Sequence, residues 1–391
     1  MYTDVVENWF RSCRYAIVGH VSAKPMEHSL SKKTPLVIEK GQAAGYFLVD
    51  DKGNRWILKK FHGANELDRD YLQMVSSLLP KHDGFFCGIQ RWVLSRGVLR
   101  RASGYYYSKD LDHWLDGTIL MPKVAGFDWA SLADELRDGS SKLDEQRRFT
   151  LCRNLARLVE VLEAARCAHR DLSSGNVFVD PTGWRVCLID FDSLYHPSLR
   201  MPRATTCGTV GYSAPYAWNN GRMDPTRTWR EHADRYALSL INTEFLLVSP
   251  GTKLTGDGGI FDQDELKKRS GPGIDSIVSQ LRASYPRAAK LLEATIHSSS
   301  FSDCPSPQDW DSVCNGKPSV VFKPPSLSDM PKIPTNLIGE RRPAAPLWSA
   351  PRLIEMPPAT LWLPERSKIV IPGPGLSILI AGQRRLSPRP L

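Results

Sequence analysis

The chain has 391 residues and carries 51 Lys plus Arg against 42 Asp plus Glu, a formal net charge of +9. Its 41% apolar and 24% charged residues can build a sizeable core and exclude a wholly disordered chain. No apolar run reaches the roughly 18 residues of a membrane span, which argues against a spanning protein. The first fifteen residues carry Asp4 and Glu7 and lack the apolar block of a signal peptide. Eight cysteines without a CxxC pair predict a reduced, cytoplasmic chain without a zinc ribbon or disulfide framework.

In chain order, residues 1–33 read as a helical lead-in, with Trp9, Phe10, Cys13 and Ile17 at roughly helical spacing. Strands follow. Leu36-Val37-Ile38 leads into a turn containing Gly41 and Gly45, then Tyr46–Val49, a polar Asp50–Asn54 turn, and Trp56–Lys59. Residues 66–79 predict one amphipathic helix ended by Pro80, and short strands are expected near Trp92–Leu94 and Tyr105–Tyr107. After Met121-Pro122-Lys123-Val124 the text turns helical, over 129–137 and 144–167. Strands Val177–Val179 and Val186–Ile189 bracket a Pro-Thr-Gly turn, and further helices are expected at 234–248 and 274–297. Strands followed by helices predict an α+β chain with two lobes of different class, 34–120 and 121–314. Residues 315–391 hold 15 of the 29 prolines and read as an extended tail, with 369–380 as two short apolar strands around a Pro-Gly-Pro-Gly turn.

The chemistry-bearing text is His169-Arg170-Asp171-Leu172-Ser173-Ser174-Gly175-Asn176, then Asp190-Phe191-Asp192, then Cys207-Gly208-Thr209-Val210-Gly211-Tyr212-Ser213-Ala214-Pro215. Asp171 sits on a loop between a helix end and a strand start, where a carboxylate can accept a hydroxyl proton. Asn176 and Asp190 supply oxygen ligands of the kind that suit Mg²⁺ or Mn²⁺ beside phosphate and water. Phosphoryl transfer needs a base, metal ions and clamps on phosphate.

These three ordered motifs make the chain similar to the eukaryotic-like serine/threonine protein kinases, over residues 34–314. HRDLSSGN resembles the catalytic loop, IDFD the metal-binding DFG motif, and GTVGYSAP the segment ending in A-P-E. The resemblance implies a two-lobed fold that binds ATP with Mg²⁺ or Mn²⁺ and phosphorylates Ser or Thr of protein substrates. It implies Asp171 as base and Asn176 and Asp190 as metal ligands. Gly41 and Gly45 stand in a glycine loop with two glycines rather than three. Trp56-Ile57-Leu58-Lys59 resembles V-A-I-K and makes Lys59 the phosphate lysine, or Lys60 if the register slips by one. Strand alternation puts the two lysines on opposite faces. The lysine's acidic partner is Glu66 or Asp70. Met121 and Val124 lie in the hinge that meets adenine, with Leu120 or Met121 behind the ring. Arg170 implies a phosphate receiver for Thr205 or Thr206, Thr209 packs beside the base, and Asp234 props the catalytic loop.

Four positions depart from the family. Ser173 replaces a lysine that touches the transferred phosphate, and Asp192 replaces the glycine of DFG. Tyr216 and Cys304 replace the glutamate of A-P-E and its arginine, so both halves of a buried ion pair are absent together. Alternatives are a pseudokinase scaffold, recruiting a protein partner through its tail, and a small-molecule phosphotransferase of the aminoglycoside-kinase type. Nucleic-acid binding has little support: residues 315–391 hold 11 Lys plus Arg and 4 Asp plus Glu, so the +9 sits mostly in the proline-rich tail.

Overall fold

The computed structural model describes residues 3–29, 33–40, 42–63, 68–202, 208–253 and 259–314. The tail, the 369–380 strands, Gly41, Glu66, Thr205 and Thr206 lie outside the described residues.

The N-terminal lobe is built on an eight-stranded antiparallel sheet. Its strands are β1 (Ala16–Val18), β2 (Val21–Pro25), β3 (Val37–Lys40), β4 (Ala43–Asp50), β5 (Arg55–Phe61), β6 (Trp92–Val93), β7 (Leu99–Arg100) and β8 (Ile119–Pro122). Their order is β6-β8-β5-β4-β2-β1-β7, with β3 paired to β4 at the side. Residues 16–25 therefore correct the expected helical lead-in. The helix Thr3–Arg11 stops early, and Ala16, Val18, Val21 and Ala23 alternate inward as a half-buried strand pair must. Tyr105–Tyr107 forms no strand; it precedes the helix Lys109–Leu115, which Ser108 caps through the amides of Asp110 and Leu111.

The pleat sorts the sheet's side chains into two cores. Ala44, Tyr46, Leu48, Leu58 and Leu120 face one way, under Val6 and Trp9 of the first helix and Leu111 and Trp114 of the later one. Ala43, Phe61 and Ile119 face the other way and join the core of the C-terminal lobe. Lys59 lies on this second face, two residues from Phe61 and paired with Ile119.

The C-terminal lobe is mainly helical. Trp129–Asp138 and Glu145–Ala164 begin at Asp128 and Asp144, whose carboxylates accept from the amides of Ser131 and Arg147. The helix Arg235–Leu247 is buried along nearly its whole length. Arg148 closes its C-terminus, donating at 2.7 Å to the carbonyls of both Phe245 and Val248. The helix expected over 274–297 is two helices, Pro272–Ser284 and Pro286–His297, because Pro286 has no N–H to continue the first. A small sheet of β9 (Phe127–Asp128), β10 (Val177–Asp180) and β11 (Arg185–Leu188) flanks the segments that hold Asn176 and Asp190. Gly126 lets β9 approach it, since a Cβ there would lie 2.1 Å from the Val179 carbonyl oxygen.

Tyr216 and Cys304 meet directly. The Tyr216 hydroxyl lies 3.2 Å from Cys304 Sγ and 3.3 Å from Ser298 Oγ, a neutral polar cluster where the resemblance expects an ion pair. Tyr216→Glu alone should put an uncompensated charge there and destabilise the protein by about 3 kcal/mol in urea unfolding. Adding Cys304→Arg should restore at least half of that loss.

Candidate active site

The helix Glu145–Ala164 ends in a turn at Arg166, and the chain runs into His169 and Arg170. Arg170 is left-handed, with φ 69°. The Asp234 carboxylate holds this bend, accepting from the amides of His169 at 2.6 Å and Arg170 at 2.7 Å. The amide of Asp171 donates to His169 Nδ1 at 3.3 Å, so the ring proton sits on Nε2 and donates to the Ile189 carbonyl at 2.7 Å. Burial lowers the His169 pKa, in keeping with this neutral tautomer.

Asp171 follows at the cleft. Its Oδ1 accepts from the Thr209 hydroxyl at 2.8 Å, so the carboxylate already reaches an alcohol. Asn176 donates Nδ2 to the Asp171 carbonyl at 2.8 Å, which fixes its amide plane. Asn176 also receives the Ile189 amide on its own carbonyl at 3.1 Å, bringing the loop against the strand that ends at Asp190. Asp190 is left-handed, with φ 64° and ψ 56°. Ser173 is buried, and its carbonyl accepts the Asn176 amide at 3.0 Å.

Lys59 crosses from β5 to these carboxylates. Its Nζ donates to Asp190 Oδ1 and to Asp192 Oδ2, both at 2.5 Å. Arg91 Nη1 donates to the other oxygen of Asp192 at 2.7 Å. Burial pulls the Lys59 pKa down, but the two carboxylates outweigh it and the net shift is upward. Burial likewise works against the Asp192 charge, yet Lys59 and Arg91 prevail and hold its pKa well below the usual carboxylate range. Lys60 points to the opposite face, donating to the Asp116 carbonyl at 2.7 Å. Asp70 is exposed in the first turn of the helix Arg69–Leu78, and the carboxylates joined to Lys59 are Asp190 and Asp192. That helix is tied down by Tyr71, whose hydroxyl donates to the Leu194 carbonyl at 2.8 Å.

The register places Gly45 opposite Lys59, with Ile57↔Met121 and Lys59↔Ile119 on the same face. Met121 therefore shares the sheet face of Lys59, and Leu120 is buried on the other face. Val124 is buried in the core shared with the C-terminal lobe.

Arg170 has a full set of neighbours. It donates to the carbonyls of Thr228, Ser193 and Pro225 and to the Thr228 hydroxyl, at 2.9–3.2 Å, and lies 4.6 Å from the centre of the Trp229 ring. The segment after Gly208 is anchored by Gln263, which accepts from the Gly211 amide at 2.8 Å and donates to the Ser213 carbonyl at 3.0 Å. Beneath it, Glu244 accepts from Trp129 Nε1 at 2.8 Å, the Tyr212 hydroxyl at 3.1 Å and the Ile260 amide at 3.2 Å. Burial pushes the Glu244 carboxyl up to about 7, against the pull of these donors.

The donor set fits a hard divalent cation that completes its shell with phosphate and water. Asp190 offers a partly exposed carboxylate and Asn176 an oriented amide. Among the described residues no group of three or more His, Cys, Asp or Glu could hold a metal, so the ion would depend on its substrate for ligands.

The sequence model of the lipopolysaccharide kinase (Kdo/WaaP) family matches residues 97–201, a span that includes Asp171, Asn176 and Asp190–Asp192. Aurora kinase C of Mus musculus is 30% identical over 110 residues, 28% of this chain and 37% of that protein. Aurora kinase B of Xenopus tropicalis is 31% identical over 110 residues, 28% of each chain. The chain spans about a third of the length of the curated relatives it matches. Fold and similarities support a place in the protein-kinase-like superfamily without singling out its eukaryotic-like serine/threonine branch. No helix among the described residues is long and apolar enough to cross a membrane.

Two charged groups of this cluster escape motif reading. Arg91 lies in no motif, and Asp192 stands out only as a departure from glycine; their pairing exists only in three dimensions. Two outcomes test this geometry. A Cβ at Gly45 would meet only Ile57 Cγ2 at 3.6 Å and the Ile38 carbonyl oxygen at 3.8 Å, ordinary contacts. Gly45→Val should therefore change stability by less than about 1 kcal/mol while weakening ATP binding roughly tenfold or more, read by calorimetry. The raised Glu244 pKa gives stability that is present below about pH 4.5 and lost as pH rises to about 7. Glu244→Gln should flatten that slope, which amounts to about 2–3 kcal/mol, in denaturant melts taken from pH 4.5 to 8.

Proposed function

We propose that the chain is an ATP-dependent phosphotransferase acting on an alcohol. Asp171 takes the proton from the acceptor hydroxyl as its oxygen forms a bond to the γ-phosphorus. The bond from that phosphorus to the β,γ-bridging oxygen breaks, and ADP leaves with the electron pair. Lys59 binds phosphate oxygens. Asn176 and Asp190 would hold Mg²⁺ or Mn²⁺, which when bound neutralises charge on the phosphates. The observation that carries this reading is the Asp171 carboxylate 2.8 Å from an alcohol, in a loop joined through Asn176 and Ile189 to the strand end that holds the Lys59–Asp190 pair.

The acceptor we infer is a Ser or Thr of a protein, the kinase phosphorylating its own Thr205 or Thr206 as well. Support comes from the anchored segment around Thr209–Ser213 and from the Aurora kinase similarity. The Kdo/WaaP match favours a second reading, in which the alcohol belongs to a lipopolysaccharide sugar. Labelled ATP, with Mg²⁺ or Mn²⁺, offered separately to a generic protein and to lipopolysaccharide decides between them, and mass spectrometry of the protein itself reports Thr205 and Thr206. Asp171→Ala should reduce transfer by roughly 10²–10⁴-fold. Transfer that survives this change, or no transfer to any acceptor, would overturn the proposal.

A further inference from the structure

Lys59 is held by two carboxylates at equal distance, but the two are not equivalent. The Asp190 side chain is 35% exposed and Lys59 is its one cation among the described residues. The Asp192 side chain is 10% exposed and holds two cations, Lys59 on one oxygen and Arg91 on the other. Arg91 is 3% exposed; its Nε has no hydrogen-bond partner, and its Nη2 reaches the Leu72 carbonyl at only 3.4 Å. Turning Asp192 away would strand a buried guanidinium, whereas turning Asp190 toward the cleft would strand nothing. The backbone adds to the asymmetry. Asp192 sits in the 3₁₀ turn Phe191–Ser193, and Phe191 is packed between the rings of His169 and Phe85, at 4.9 and 5.8 Å. The helix Arg69–Leu78 brings no carboxylate of its own except the exposed Asp70.

We propose that Asp192, with Arg91 as its fixed counter-ion, is the residue that positions the phosphate lysine, and that Asp190 releases Lys59 when it turns to the metal. The inference rests on the phosphotransferase reading and adds a device to it. Lysine positioning and metal binding are joined in one tripeptide, Asp190-Phe191-Asp192. The aim of the lysine then does not depend on an acid from the N-lobe helix, so displacement of that helix would leave the lysine–carboxylate pair intact.

The test measures affinity of the full chain for ADP and for a non-hydrolysable ATP analogue, with and without Mg²⁺, by calorimetry. Asp190→Asn should keep the metal-free affinity within about threefold and lose the gain conferred by Mg²⁺, because Lys59 keeps its anchor. Asp192→Asn should weaken nucleotide roughly tenfold or more under both conditions while keeping the ratio between them. Since Asp192→Asn leaves Arg91 without its carboxylate, the double variant Arg91→Met/Asp192→Asn accompanies it, with thermal melting to verify folding. The double variant should show the same loss of affinity. Wild-type affinity in either variant, including recovery in the double one, would reduce Asp192 to a partner for Arg91 and overturn the proposal. If the unaltered chain binds neither nucleotide, the phosphotransferase reading fails and takes this inference with it.

Discussion

The lobes meet over a set of four charges: Lys59 and Arg91 from the strand-rich side, Asp190 and Asp192 from the catalytic side. Each cation in this poorly solvated place needs a carboxylate, and each carboxylate needs a cation. Removing Asp192 would leave the buried Arg91 guanidinium unmatched, whereas Lys59 has a second carboxylate in Asp190. The balance ties β5 to the end of β11 and sets the position of the lysine relative to Asp190 and, through the Ile189–Asn176 hydrogen bond, to Asn176 and Asp171. The remaining geometry of the cleft follows from that fixed point together with Asp234, which holds the catalytic loop from the other side.

The departures from the wider kinase pattern come in compensated sets. A tyrosine and a cysteine touch where a glutamate and an arginine are expected, so neither leaves a stranded charge. A carboxylate takes the place of the DFG glycine, and a buried arginine is present to receive it. Arg170 donates to carbonyls and the Thr228 hydroxyl and lies against an aromatic ring. Each exchange gives the new side chain a polar partner, as a stable divergent fold requires.

Much of this was legible in the sequence. Consecutive motifs carried Asp171, Asn176 and Asp190 because each lies in a short local segment whose spacing a reader can check. Strand alternation separated Lys59 from Lys60, and the register puts Met121 on the Lys59 face of the sheet and Leu120 on the other. The unread parts depend on contacts distant along the chain. Arg91 reaches Asp192 across 101 positions, with no motif at either end to signal it. The strands at 16–25 were hidden because a true helix at Thr3–Arg11 precedes them, and their pairing partners, such as Val49 and Arg100, lie far downstream. The break at Pro286 was visible in composition, but apolar periodicity ran on either side of it.

The account turns on which carboxylate keeps Lys59 when phosphate and metal are present. A crystal structure of the intact protein with Mg²⁺ and a non-hydrolysable ATP analogue addresses this directly. The account predicts Lys59 between a phosphate oxygen and Asp192, Arg91 on the other Asp192 oxygen, and the metal on Asp190 and Asn176. Lys59 paired instead with an acid at Glu66 or Asp70, and Asp192 turned away from it, would contradict the account.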